Sequence, residues 1–311
     1  MRCQRSRLLT RQLAQMLSEG AFMSPSSIPQ TQPQTASFPG SWLVPDWPGI
    51  AGVHALCTTR DGGVSQSPWG SMNLGDHVGD EPAHVQRNRE LLGNVIAEQT
   101  PGACPVFLQQ VHGVQVCQLP LAAAAARAFD ACVSNAIGQA CTIMVADCLP
   151  ILIAHRELKI IGAAHAGWRG LAGQQSVGVV EQLWQAYCRL VEQQQATPHA
   201  AIAAATQVWL GPCIGPQAFE VGEEVVRAFT QAKAQAEACF LPGAAPGKWQ
   251  ADLAALARQR WQALGIDAIY GNDSSTGWCT VANPSRFFSH RRDSSIFGST
   301  GRMAAAIVRT V

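Results

Sequence analysis

The sequence predicts an α/β fold, a single domain of mixed β-sheets covered by helices. Three observations predict it. Nearly continuous apolar runs of strand length occur at residues 141–146, 151–154 and 160–164, the pattern of strands buried on both faces. Residues 172–194 carry apolar side chains at helical spacing, over a stretch too long for one strand. Strand-like and helix-like segments alternate without the strict period of repeated β-α-β units, so sheets of mixed direction packed under helices are expected.

Taken in order, residues 53–59 read as the first strand, ended by the turn signal Arg60-Asp61-Gly62-Gly63. Residues 81–92 predict a helix with Asp80 as its N-cap. Short strands at 106–110 and 114–118 flank His112-Gly113. The strands at 141–146 and 151–154 are broken by Asp147-Cys148-Leu149-Pro150, and the strand at 160–164 runs straight into His165. After the long helix come a strand at 207–210 and helices at 223–235 and 253–264. The last of these has Asp252 at the N-cap and Gly265 just past its end. Residues 286–291 and 302–308 read as closing strands. Residues 24–40 are rich in Ser, Pro, Gln and Thr and read as a disordered lead-in. One domain is therefore expected from 41 to 311, behind an N-terminal extension at 1–40.

The formal net charge is +1, with 14% charged and 47% hydrophobic residues, which argues against a basic nucleic-acid surface and favours small, weakly charged partners. No apolar run reaches the roughly 18 residues of a membrane span. Arg2, Arg5, Arg7 and Arg11 resemble the start of a signal peptide, but Gln12, Gln15, Ser18 and Glu19 interrupt the apolar stretch that such a peptide needs, so secretion is not expected. A transit peptide, or a translation start at Met23, is left open by composition. The 11 cysteines include no Cys-x-x-Cys pair, which argues against a zinc ribbon and a secreted disulfide framework. A reducing cytoplasm with most thiols buried is the expectation, and a monomer is the default.

Chemistry is expected where strands end. His112, Cys148 and His165 are three soft-metal ligands in unusual local sequences, and two imidazoles with one thiolate suit zinc or copper with a fourth position open. Asp147, set between apolar runs, needs a partner for its charge, and orienting a metal-bound imidazole is one such role. A turn cap beside a structural cysteine would satisfy the same residues. Gly167 and Gly170 bracket Trp168-Arg169 at a helix start, where backbone N–H groups and Arg169 could take an anion. A tight turn with a satisfied histidine is the alternative there. Arg60 suits a phosphate or carboxylate as a bidentate donor, or a solvated turn. Cys213, in the rigid loop Gly211 to Pro216, reads as structural. The chain has no His-x-His pair, His-Glu-x-x-His, Walker A or zinc-deaminase signature.

Together these motifs carry a resemblance. Thr59-Arg60-Asp61-Gly62-Gly63-Val64-Ser65, Ser71 to Asp80, Gln110-Val111-His112-Gly113, Asp147-Cys148-Leu149-Pro150 and His165-Ala166-Gly167-Trp168-Arg169-Gly170 resemble the YfiH-like, so-called laccase-domain family. So do Gly211-Pro212-Cys213-Ile214-Gly215, Ser289-His290-Arg291-Arg292-Asp293 and Thr300-Gly301-Arg302. The resemblance implies a YfiH/CNF-like α-β-β-α sandwich with a zinc site made by His112, Cys148 and His165. It implies phosphorolysis of adenosine, inosine, guanosine and methylthioadenosine, with adenosine deaminase activity beside it. An older description of the family as copper polyphenol oxidases makes copper the alternative metal. A thiol hydrolase using Cys148 is the other alternative. On this reading Arg60, with Arg169 as second donor, holds phosphate, Asp147 orients a ligand or carries a proton, and Asn73 bonds the ribose or base. The partners are a small-molecule nucleoside and phosphate. One departure is the run Ser294-Ser295-Ile296-Phe297-Gly298-Ser299, read as a longer hairpin.

Overall fold

Two stacked sheets carry helices on their outer faces, and the burial pattern of the central strands explains the arrangement. The computed structural model describes residues 41–121, 128–231 and 233–310. The expected disordered lead-in and the arginine-rich segment before it lie outside the described residues. The chain opens with β1 (Val53–Cys57), α1 (Pro82–Gln99), β2 (Cys104–Phe107), β3 (Val116–Leu119) and β4 (Ala131–Ser134). Then come β5 (Gln139–Val145), β6 (Leu149–His155), β7 (Ile161–Ala166), α2 (Trp168–Ala172), α3 (Val179–Gln194), α4 (His199–Ala205) and β8 (Thr206–Leu210). The last part holds β9 (Glu220–Gly222), α5 (Glu223–Thr230), β10 (Phe240–Pro242), β11 (Lys248–Ala251), α6 (Leu253–Ala263), β12 (Ile269–Gly271), α7 (His290–Phe297) and β13 (Met303–Arg309).

The first sheet has the order β1-β13-β5-β2 and the second β12-β8-β6-β7-β4-β3, while β10-β11-β9 form a small third sheet. Strand β13 sends Met303, Ala305 and Ile307 into the core between the two large sheets, and Ala304, Ala306 and Val308 to the core containing Leu92, Val95 and Ile96 of α1. Strand β6 sends Leu152 and Ala154 into the intersheet core, and Leu149, Ile151 and Ile153 to the core that includes α3 and α6. Both faces of these strands are apolar because both are covered. Helix α3 buries Val180, Leu183, Tyr187 and Val191, a stripe at helical spacing. The layers are thus helix, sheet, sheet, helix. Among the described residues no helix is long and apolar enough to cross a membrane.

Several elements differ from the sequence-based expectation. The helix expected at 172–194 starts only at Val179, and residues 173–178 form a turn between it and the short α2. Gly173 and Gly178 break it, because a Cβ on either would collide with a backbone carbonyl, of Val177 and Leu171 respectively. The closing strand expected at 286–291 is a turn and irregular segment that enters α7 at His290. Ser289 caps it by accepting the Arg292 N–H at 3.1 Å, and left-handed Gly298 ends it, so residues 294–299 finish a helix rather than lengthen a hairpin. Asp80 does not cap α1. Glu81 is the N-cap with no side-chain bond, and Asp80 accepts from Ser65 and Asn73 instead. The short strands β4, β9, β10, β11 and β12 and helix α4 carry no strong local signal. Asp252 does cap α6, accepting the Ala255 N–H at 2.9 Å, with Gly265 at positive φ beyond it.

Candidate metal centre and cleft

Two of the three candidate ligands stand where the chain changes sheets. Strand β5 lies in the first sheet and β6 in the second, and Ala146-Asp147-Cys148 makes the passage. Asp147 adopts φ 84°, and its groups pin the corner. Its carboxylate accepts the Thr280 hydroxyl at 2.5 Å and the Arg291 N–H at 2.6 Å, and its carbonyl accepts the Ile214 N–H at 2.9 Å. His112 lies between β2 and β3, again between sheets, at φ 59°. Gln110 ties that loop to β5 by bonding both the N–H and the carbonyl of Met144, each at 2.7 Å. His165 is near the end of β7, opposite Pro150 of β6.

The three side chains meet. Their ligand atoms all lie within 4.8 Å of one another. His112 Nε2 is 3.6 Å from Cys148 Sγ, and the two imidazole rings sit edge to face with centroids 4.7 Å apart. Two imidazoles and a thiolate are a zinc-type donor set. A tetrahedral zinc with nitrogen and sulfur at about 2.05 and 2.3 Å would place such a pair about 3.6 Å apart, so the residues fit the ion.

The carboxylate that bonds His165 is Asp130, while Asp147, which lines the cleft, bonds Thr280 and Arg291. Asp130 is fully buried just before β4. Its carboxylate accepts His165 Nδ1 at 2.8 Å and the N–H groups of His112 at 2.9 Å, Gly113 at 2.7 Å and Val111 at 3.3 Å. One side chain therefore turns His165 so that Nε2 faces the site, and also fixes the turn that presents His112. Sequence reasoning misses it. The available signal is an ionisable residue directly before the apolar run Ala131-Cys132-Val133, whose charge demands partners.

The electrostatics arise from this packing. Burial alone would push the Cys148 thiol up, but the charge of His165 and hydrogen bonds from His112 and His165 bring it down to about 6. Burial would favour neutral His165, yet the Cys148 thiolate and Asp130 raise it to about 9. Burial opposes the Asp130 charge, and His165 with the Gly113 and Val111 N–H groups still holds that carboxyl below its ordinary value. The two groups thus favour each other's charged form, thiolate beside imidazolium.

Gly167 leaves room for this group. A Cβ there would lie 2.9 Å from His112 Cδ2 and 3.0 Å from Cys148 Sγ. Gly167→Ala is expected to weaken metal binding about tenfold or more by parting the two ligands, read as metal per chain after dialysis. Full metal content in that variant would count against the proposed ligand set.

The site opens into a cleft of about 460 Å³, within the range of small-molecule sites. Trp168, Ile214, Phe219 and Leu253 line it, with Gln110, His77, His290, Arg291 and Arg302 as polar wall. A second cleft of about 430 Å³, lined by Asp76, Arg89, Glu90 and Phe107, contains none of the three ligands. Its Arg89 is tied to Asp76 and the Leu74 carbonyl.

Of the expected substrate-binding residues, Arg60, Arg169 and Asn73 do not line the ligand cleft. The Arg60 guanidinium donates twice to the Gly70 carbonyl, at 3.0 and 3.1 Å, and to the Pro284 carbonyl at 2.6 Å, while lying over the Phe288 ring. It ties loops together. Arg60→Ala should therefore cost about 2 kcal/mol of stability, checked by denaturant unfolding, and leave phosphate dependence unchanged. Arg169 is exposed and stacks on Trp168 at 4.4 Å. Asn73 is fully buried, its amide spent on Gly75, Asp80 and the Arg302 N–H.

Comparison with known proteins agrees with this architecture. Residues 54–310 match the family model described as multi-copper polyphenol oxidoreductase laccase. A Pseudomonas aeruginosa protein named purine nucleoside phosphorylase is 44% identical over 267 residues, covering 86% of this chain and 98% of the relative. The Escherichia coli purine nucleoside phosphorylase YfiH is 42% identical over 268 residues, covering 85% and 97%. Among solved structures, a Neisseria meningitidis protein matches with TM-score 0.70 and 38% identity, covering 87% of this chain and 99% of that one. YlmD from Geobacillus stearothermophilus matches with TM-score 0.70 and 30% identity, covering 87% and 96%. With its helix-sheet-sheet-helix layers and its grouped His112, Cys148 and His165, this chain belongs to the laccase-like family of YfiH proteins.

Proposed function

We propose that the chain is a zinc-dependent purine nucleoside phosphorylase that accepts adenosine, inosine, guanosine and methylthioadenosine, and that it also deaminates adenosine. The carrying observation is the His112–Cys148–His165 group, held by buried Asp130 and opening onto a cleft of nucleoside size. The names of the bacterial relatives support the phosphorolysis of purine nucleosides. Zinc held by these three side chains would supply a Lewis acid with one open position. Asp130 keeps His165 in the tautomer that offers Nε2. Trp168 and Phe219 give the base flat apolar walls. In phosphorolysis a phosphate oxygen bonds to C1′ of the ribose as the C1′–N9 bond breaks, and the base leaves with that electron pair. In deamination water adds at C6 and ammonia departs. The protein would work as a cytoplasmic monomer on free nucleosides.

Copper is the weaker choice of metal. The chain has eight histidines and no His-x-His pair, so a multi-copper oxidase centre lacks a ligand set. The test is chromatography of products from adenosine and metal-assayed protein, with and without phosphate. Adenine and ribose 1-phosphate appearing only with phosphate is the expected result, and inosine forming without it reports deamination. Unchanged adenosine in zinc-loaded protein would overturn the reading.

One observation favours a second reading, a thiol hydrolase. The Cys148 thiol at about 6, beside His165 at about 9, is an activated nucleophile in metal-free protein. Iodoacetamide labelling of Cys148 in stripped protein should rise through a midpoint near about 6. Below that pH the thiol is protonated and labelling slows. Zinc should block it. A midpoint near the ordinary thiol value of about 8.5 would show that the neighbours do not activate the sulfur. Hydrolysis by stripped protein, lost on labelling, would favour this second reading.

A further inference from the structure

We infer that Arg302 is the anion anchor of the cleft and binds the inorganic phosphate that attacks the nucleoside. The inference rests on the phosphorylase reading for the identity of the anion. Arg302 stands just before β13 and lines the cleft with Cys148 and His165. Its Nη1 donates to the Thr300 carbonyl at 3.0 Å and the Gly301 carbonyl at 3.3 Å. Among the described residues no carboxylate oxygen lies within 4 Å of it, and Nε and Nη2 have no protein partner. Those two donors form the parallel fork that suits a phosphate.

The other arginines near the cleft are committed elsewhere. Arg291 also lines it, but its guanidinium donates to the Ala218 and Glu220 carbonyls, both at 3.2 Å. Arg60 is bound to the Gly70 and Pro284 carbonyls, and Arg169 is stacked outside on Trp168. Burial disfavours the Arg302 charge, and the negative charges of Cys148 and Asp147 offset only part of that penalty. Asp147 is already bonded to Thr280 and the Arg291 N–H, and Cys148 belongs to the metal group. A part-buried cation without an ion-pair partner is costly, and an oxyanion in the cleft relieves that cost.

Its stem is placed with care. Asn73 Oδ1 accepts both the Arg302 N–H and the Gly75 N–H at 2.9 Å. A Cβ on Gly75 would lie 2.8 Å from Arg302 Cγ. The motifs Ser71 to Asp80 and Thr300-Gly301-Arg302, from opposite ends of the domain, thus converge on this one side chain. Asn73 and Gly75 are positioning residues for it.

The test is calorimetric titration of inorganic phosphate into zinc-loaded, full-length protein. Arg302→Gln should weaken phosphate binding about tenfold or more, with metal content and melting temperature as in the parent. Gly75→Ala keeps the charge but displaces its stem, and should weaken binding as well. Arg169→Gln should bind phosphate as the parent does. Phosphate binding unchanged by Arg302→Gln, or absent from the parent, would overturn the inference. Nucleoside turnover decides the phosphorylase reading separately. Phosphate binding that depends on Arg302 in a protein that turns over no nucleoside upholds the anchor and sinks that reading. In turnover assays Arg302→Gln should raise KM for phosphate while KM for adenosine holds.

Discussion

His112→Ala is expected to leave a folded protein that retains less than about a tenth of its metal and loses nucleoside turnover by about a thousandfold or more. The imidazole is one of the three proposed ligands and stands on an exposed turn, so its loss would empty the site without opening the core. The backbone there has φ 59°, where alanine is strained. His112→Asn tolerates that conformation better and separates strain from ligand loss. Both variants should melt within a few degrees of the parent, and both should fail in metal analysis and product chromatography. Parent-level turnover by metal-depleted His112→Ala protein would sink the metalloenzyme proposal.

Asp130→Ala is expected to be the most destabilising single change at the site, by about 3–5 kcal/mol in denaturant unfolding. Three backbone N–H groups and one imidazole lose their acceptor at once, around a carboxylate that is itself fully buried. Metal affinity should fall about 10- to 100-fold in the same protein, because His165 loses its fixed tautomer and the 111–113 turn loosens. Asp130→Asn keeps an acceptor oxygen and should lose metal with a smaller loss of stability. The sign with pH comes from the lowered value of Asp130. Its contribution is complete above the ordinary carboxylate range and is lost as pH falls through the lower folded value. Parent-like unfolding of Asp130→Ala would refute this account of the site.

These two residues mark the limit of what the chain discloses on its own. The buried strands β5, β6 and β7 are legible because both of their faces are covered, and such strands leave continuous apolar runs. His112, Cys148 and His165 stand out one by one, as polar residues where apolar runs stop. Their meeting depends on which strands neighbour which, and in the sequence only the family resemblance supplies that. Asp130 is invisible locally because its work depends on β4 lying beside β7, which sets Asp130 next to His165. Arg60, Arg169 and Asn73 are expected at the substrate because donors suit phosphate and ribose. The structure spends them on the Gly70 and Pro284 carbonyls, the Trp168 ring and the Arg302 backbone, none of which is predictable from side-chain type. Helix α7 passes for a strand because its cap, Ser289, and its stop, Gly298, carry the signal while its short middle does not.

The two sheet crossings have a consequence beyond chemistry. His112 sits on the passage from β2 to β3 and Cys148 on the passage from β5 to β6. An ion gripped by both would act as a clasp across the rim of the sandwich, joining the two sheets. Its grip adds to the durability of the fold by mass action, so the resilience of this protein would rise and fall with the free metal around it. The group that turns over substrate would then also fasten the scaffold, and starvation for metal would slacken both together.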